Sequence, residues 1–494
     1  MPMVRTDGDA VRDGAIEEDD AREADAPERK LAAQVAHRLE SDIIRRGWPV
    51  GEVLGSEQDL RERYRVSRSV LREAVRLAEH HQVARMRRGP GGGLFVCAPD
   101  AAPATRALVI YLEYVGTSVE DLMQARQLLE PLAVALAAER ITEQDIERLR
   151  AGLDEEVERH DEAGIFAQDR VHVLLGELSG NPALQLFVDV LSRLTTRYAH
   201  TTRRIPKEEI DRGKAEARER HRVIVDAVIA GAAGRAEAET VAHLAGVSEW
   251  LLAHRARRGA KAAGRALEVS GAKLAEVVAA RIHDEIARRG WPIGQVLGSE
   301  ADLLARNGIS RAVLREAVRL LEYHSVARMR RGPGGGLVVT EPDPGASIET
   351  MALYLDYRGV TAEDLRVVRD AVELGTLQQT IRRRAEPEVG QRLKAALART
   401  GEPGPEGRSG SEAFHTELAE VSGNPVLALF LRILTELWTR HRAGTDTTPQ
   451  PGPGALAEVE AVHERILDAV LAGDEGVARH RMRRHLEALT AWYH

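Results

Sequence analysis

Six histidines stand in two matched sets of three: His172, His221 and His243, then His415, His463 and His485. Imidazole nitrogens suit borderline divalent metals such as zinc, nickel or cobalt. Three histidines from separate helices can converge inside a bundle; the alternative is that they are ordinary core or surface histidines. A second recurrent chemistry is cationic. Arg68, Arg72 and Arg76 follow one another at helical spacing, with Arg87 and Arg88 just beyond, and Arg311, Arg315, Arg319, Arg330 and Arg331 repeat the set. An arginine fork can take O6 and N7 of a guanine together, so such a helix can read duplex DNA. A solvated basic helix packed on a protein partner is the competing reading, weakened by a capped helix pair, a basic hairpin and two copies. Each half also carries an Arg-x-x-x-Glu pair, Arg126 with Glu130 and Arg369 with Glu373, a spacing that often gives only a surface ion pair.

The elements that must position these groups are duplicated too. RRGWPVGEVLGSEQDL from Arg45 returns as RRGWPIGQVLGSEADL from Arg288, and VARMRRGPGGGL from Val83 returns unchanged from Val326. Looser matches follow, LSGNPAL against VSGNPVL and HRVIVDAVIAG against HERILDAVLAG. A repeat of this length implies two copies of a two-module unit. In the short module, apolar spacing predicts a helix over 31–46. Ser56 with Asp59 predicts a capped second helix, and Ser67 caps a third over 68–80. Strands around a glycine-rich turn at 89–93 complete a wing. The glycines lack the order of a nucleotide-binding loop and do not lead into a helix. Two short helices with a tight turn place the second in the major groove, N-terminus first. The longer modules read as successive amphipathic helices. Asn181 and Asn424, each before a proline, read as helix caps.

Bulk properties set the limits. A chain of 494 residues with 43% hydrophobic content suits several domains. Aromatics are 4%, so the cores must be built from Leu, Val, Ala and Ile. The single cysteine, Cys97, excludes a disulfide framework or a cysteine zinc cluster. No apolar run suits a membrane span and no signal-peptide core opens the chain, so a cytoplasmic protein is expected. The net charge of -8 is no obstacle to DNA binding, because a local basic surface is what counts. Acid is concentrated in residues 1–28, read as a disordered tail.

The SEQDL, VSRSVLREAVRLAE and GPGGGLFV segments resemble the DNA-binding domain of the GntR family. The likeness extends through the longer modules to its FadR-type subgroup, with an all-helical FCD effector domain. It implies a mainly α fold: winged helix-turn-helix domains at 29–100 and 272–342 alternate with FCD-like bundles at 105–256 and 346–494, joined by a linker at 257–271. It also implies that Arg68, Arg72, Arg311 and Arg315 contact an operator, and that Arg126 and Arg369 face an effector. The family's usual arginine in the second helix is replaced by Gln58 and Ala301. FCD domains that this one resembles bind a metal through three histidines and an aspartate four residues before the first of them. Gln168 and Ser411 stand there, while Asp169 and Glu412 lie one place later. The expected ligands are therefore Asp169, His172, His221 and His243, then Glu412, His415, His463 and His485, holding zinc, nickel or manganese. The expected activity is transcriptional control, a repressor released from double-stranded operator DNA by a small organic acid, with no catalytic residues and no membrane partner. A metal-dependent enzyme and an assembly protein with vestigial DNA-binding modules are the alternatives. Two joined reading heads imply an intramolecular pseudo-dimer, with a homodimer of chains as the other arrangement.

Overall fold

The computed structural model describes residues 31–89, 91–158, 169–199, 206–254, 274–330, 332, 334–399, 410–444 and 453–491. The acidic tail, the 257–271 linker and Arg331 lie outside the described residues. Two compact units form, Met1–Ala101 and Ala102–His494.

The first unit is a helix over 31–45 (α1), α2 at Glu57–Tyr64, α3 at Arg68–His80 and a hairpin of β1, Ala84–Arg87, with β2, Gly93–Val96. Local chemistry sets each boundary. Ser56 accepts from the Asp59 amide and Asp59 accepts from the Ser56 amide, the reciprocal cap expected of that spacing. Arg65 ends α2 in the left-handed region at φ 54°, where the second copy has Gly308 at φ 60°; this turns the chain into α3. Ser67 accepts from the Val70 amide. Leu71, Ala74, Val75 and Ala78 form the buried stripe of α3, and Leu39, Ile43 and Leu60 are buried on the other two helices. Glycine is needed at Gly93: at φ 154° a Cβ would sit 2.8 Å from the Gly55 carbonyl oxygen. That close approach lets the Leu94 amide bond to Gly55 and fixes the hairpin against the chain entering α2.

The second unit begins with a bundle: α4 Ala101–Tyr114, α5 Val119–Arg140, α6 Glu143–Glu158, α7 Asp169–Leu178, α8 Pro182–Ala199, α9 Lys207–Ile229 and α10 Ala233–His254. The winged motif then recurs as α11 Leu274–Arg288, α12 Glu300–Asn307, α13 Arg311–Tyr323, β3 Ala327–Arg330 and β4 Gly336–Val339. A second bundle follows: α14 Gly345–Tyr357, α15 Ala362–Arg382, α16 Pro387–Ala398, α17 Gly410–Val421, α18 Pro425–Gly444, α19 Pro453–Ala472 and α20 Glu475–Ala491. The fold is mainly α, as expected, with antiparallel strand pairs confined to the wings. The bundle cores are mostly aliphatic, with Val134, Leu149, Ile224 and Val228 in one and Leu377, Leu393, Ile466 and Val470 beside Phe414 in the other.

The two bundles are locked together by the residues expected only to cap helices. Asn181 Oδ1 accepts from the Ala183 and Leu184 amides, which caps α8. Its Nδ2 donates across to the Asp364 carbonyl in the second bundle at 2.9 Å. Asn424 caps α18 in the same way, and its Nδ2 donates to the Asp121 carbonyl in the first bundle at 3.0 Å. Between these reciprocal bonds Phe187 stacks on Phe430, centroids 3.9 Å apart and planes at 2°. The contact is self-complementary, like an interface between identical subunits, yet both sides belong to one chain.

The second winged motif docks on the first bundle. Tyr114 meets Trp291 edge-on at 5.4 Å and donates to Glu341. Arg197 on α8 bridges Glu113 and Asp284, and its Nη2 lies 3.2 Å from His283 Nδ1. His283 is pushed down to about 3 by burial, reinforced by Arg197 and His324. Glu113 Oε2 lies 3.5 Å from its other nitrogen, but that carboxylate is already engaged by Arg197. An unfolded chain takes up a proton here near pH 6.5 and the folded chain does not. Stability from this group is therefore full above pH 6.5 and falls by about 1.4 kcal/mol per pH unit as pH drops towards the folded value. Calorimetry between pH 7 and 5 should show His283→Gln with a shallower acid loss than the native chain; parallel curves would remove His283 as the cause.

Candidate nucleic-acid interface and metal centres

In the first unit, Arg68, Arg72 and Arg76 are exposed on α3, and Arg87 and Arg88 are exposed on the hairpin. Arg72, Arg76, Arg87 and Arg88 share a groove of about 510 Å³ between that helix and the wing. Glu79 accepts from the Met86 amide and so ties the wing to the end of α3. Arg87 stacks over Phe95 at 4.3 Å. Glu57 receives Arg68 Nε at 2.7 Å and lies 3.3 Å from Arg72 Nε. The hydrogen bond from Arg68 keeps the Glu57 carboxyl below its ordinary range. Both arginines therefore stand side by side at the N-terminal end of α3.

The second winged motif repeats the layout with differences. Arg311, Arg315 and Arg319 are exposed on α13 and Arg330 on its hairpin, while Arg331 is outside the described residues. Glu322 holds the Met329 amide as Glu79 holds that of Met86. Among the described contacts, Glu300 forms no ion pair with Arg311 or Arg315, unlike Glu57 in the first head. Val338 replaces Phe95, and Arg330 donates to the Gly334 carbonyl.

The histidines do converge. His172 on α7, His221 on α9 and His243 on α10 are buried, with Nε2 atoms 3.1, 3.2 and 3.1 Å apart. His415, His463 and His485 form the second triad at 3.1, 3.2 and 3.0 Å. Nitrogens bound about 2.05 Å from a tetrahedral zinc lie about 3.3 Å apart, so both triads fit a divalent ion. The donor chemistry agrees. Glu130 lies 2.6 Å from His172 Nδ1, and Glu156 lies 3.0 Å from His221 Nδ1. Where a carboxylate accepts from Nδ1, as Glu156 does from His221 and Glu373 from His415, the ring proton sits on Nδ1 and the Nε2 lone pair turns inward; three inward lone pairs are together satisfied by a cation. Burial, followed by the neighbouring histidines, pushes His243 and His463 far below the ordinary imidazole range, and it takes His485 to about 3. These rings stay neutral, as ligands must.

Of the two expected acids, Asp169 begins α7, but its side chain is outside the described residues. Glu412 is buried on α17, but it is not among the donor atoms that converge with the triad. The acids that touch the histidines are others. Glu130 and Glu373 were legible only as partners of Arg126 and Arg369. They stand behind His172 and His415. Burial works to raise Glu130, yet Arg126 and His172 outweigh it and hold the group at about 2. Glu373 is held down in the same way by His415 and Arg369. Arg126 also donates to Thr195 Oγ1 at 2.8 Å. No spacing signal marked Glu156 or Thr195, since each reaches its site through the packing of a different helix.

Known proteins resemble one half of this chain at a time. The family described as "Bacterial regulatory proteins, gntR family" matches residues 31–96 and 274–337, and "FCD domain" matches 121–246 and 364–488. The HTH-type transcriptional regulator LutR of Bacillus subtilis (strain 168) is 33% identical over 205 residues, which cover 41% of this chain and 92% of LutR. The HTH-type transcriptional repressor NanR of Salmonella newport (strain SL254) is 25% identical over 224 residues, 44% of this chain and 85% of NanR. Among solved structures, Streptococcus agalactiae GntR is 24% identical and covers 44% of this chain and 99% of its own, with a TM-score of 0.34.

Proposed function

The chain belongs to the GntR family of bacterial regulators and carries the family's DNA-reading head and FCD domain twice, and we propose that one chain does the work of a paired regulator. It is a metabolite-responsive, DNA-binding regulator of transcription. The observation that carries the pairing is the reciprocal contact of the bundles through Asn181, Asn424 and the Phe187–Phe430 stack. Two identical subunits commonly place two reading helices on a palindrome, about 34 Å apart on one face of the duplex. Here both heads are covalently joined, so the second contact is intramolecular and affinity rises without new contacts. The heads differ at Gln58 and Ala301, Tyr64 and Asn307, and Ser69 and Ala312. The operator is accordingly an imperfect palindrome.

The finer reading is a cytoplasmic repressor released by a small organic acid. Among the described residues no helix is long and apolar enough to cross a membrane. His172, His221 and His243 would hold a divalent ion, which would supply a Lewis-acidic centre for an effector carboxylate. Glu130 and Glu156 orient two of the imidazoles, and the buried Arg126 guanidinium offers positive charge beside them. Light scattering with and without a short single-operator duplex tests the pairing. The expected mass is one chain per duplex, and an obligate complex of two chains on that duplex defeats the proposal.

A further inference from the structure

The two effector bundles hold their arginines and triads in different surroundings. Thr195 and Trp438 occupy equivalent turns of α8 and α18, in the same register from Pro182 and Pro425. In the first bundle the buried Thr195 hydroxyl accepts from Arg126 and donates to the Leu191 carbonyl. In the second, Trp438 lies under the guanidinium of Arg369, with 5.5 Å from Cζ to the ring. Behind the triads a second difference appears. His221 Nδ1 meets both oxygens of Glu156, at 3.0 and 3.1 Å. Neither His172 Nδ1 nor His463 Nδ1 forms a hydrogen bond of good geometry among the described residues, but His172 Nδ1 lies 2.6 Å from the Glu130 carboxylate, whereas the His463 ring stacks on Phe414, where the first bundle has Val171.

We propose that only the first bundle takes the carboxylate effector, and that Thr195 against Trp438 decides this; the inference rests on the metal-and-carboxylate reading above. An indole adds more atoms than a small hydroxy acid contains, so it fills the space a ligand would use beside the guanidinium. Its π face also presents negative potential to an arriving carboxylate while it satisfies the arginine's charge. The triads point the same way. A ligating histidine without its outer carboxylate lacks the acceptor that fixes its tautomer and raises its basicity, and loss of such a partner typically weakens metal binding about 10–100-fold. The groove that reaches His485 runs between α19 and α20, encloses about 290 Å³ and has neither Arg369 nor Glu373 in its walls. A carboxylate lodged there misses the guanidinium that the first bundle offers. The second bundle thus serves as the fixed half of the pair.

The test uses the full chain, stripped of metal and titrated with Co²⁺ under equilibrium dialysis, followed by acetate as a probe carboxylate read from the cobalt spectrum. The expected result is two cobalt affinities about 10–100-fold apart, with acetate perturbing only the tighter ion. Glu156→Gln should merge the two affinities at the weaker value, Thr195→Trp should abolish the acetate response, and Trp438→Thr should create a second one. Two equal cobalt sites that both respond to acetate overturn this proposal and leave the effector reading intact. A chain that binds no cobalt at either triad removes that reading and the proposal with it.

Discussion

Replacing Arg68 and Arg72 together by alanine should cost roughly 2–6 kcal/mol of specific operator affinity, at about 1–3 kcal/mol for each bidentate base contact. The free protein offers little to offset this. Both arginines lean on Glu57, but their side chains are 61% and 55% exposed, and exposed ion pairs are worth about 0–1 kcal/mol. Exchanging that pair for guanine is therefore favourable, and alanine forfeits the whole exchange. Non-specific binding should fall much less, because Arg76, Arg87 and Arg88 remain for phosphates. The Arg311→Ala, Arg315→Ala pair should show a loss of the same kind through the second head. Either change also removes the advantage of a tethered second contact, so specific binding should approach that of a single head. Competition binding at fixed salt, against operator and random duplex, reads the difference. A folded double variant with unchanged operator affinity would sink the assignment of α3 as the reading helix.

The largest expected effect on stability is at Arg126. Its side chain is 1% exposed and Glu130 is 2% exposed. Removing one partner of a buried pair typically costs about 3–5 kcal/mol, because the other charge is left in the core. Arg126→Leu should therefore destabilise the first bundle by about that amount, and Glu130, now held at about 2, should take up a proton much closer to neutrality. His172 then faces a weaker acceptor, so metal affinity should fall as well. The double change Arg126→Leu with Glu130→Leu separates the causes. It restores most of the stability, since two apolar side chains in place of a buried pair are often neutral or better, but it does not restore the metal. Calorimetry with and without added zinc measures both quantities. An Arg126→Leu chain as stable as the native one would mean that the pair is not buried as described.

Much of this was legible in the residues, for identifiable reasons. Caps and turns are local, so Ser56, Ser67 and the 68–80 helix could be placed from spacing alone. The histidines were legible because each is repeated, which separates a shared constraint from chance. The outer carboxylates were not. Glu156 meets His221 from a helix 65 positions away, and nothing periodic links them. Asn181 shows the same limit more sharply. Its capping role lies within four residues and was foreseen, whereas its bond to Asp364 depends on how two bundles pack. Arg126 was picked out as the effector residue, but its local partner Glu130 turned out to be the link to the metal ligands.

The bundle contact has a further consequence, in terms of copy number. A regulator paired from separate chains loses its paired form on dilution, so its active fraction falls when a cell holds few molecules. The Phe187–Phe430 contact draws both partners from one chain, and its formation carries no concentration term. Operator occupancy should then rise in simple proportion to the amount made, down to a handful of molecules, and unequal partition at cell division should not leave a daughter with unmatched halves. The duplication also frees the halves to diverge, since a substitution in one no longer appears in the other.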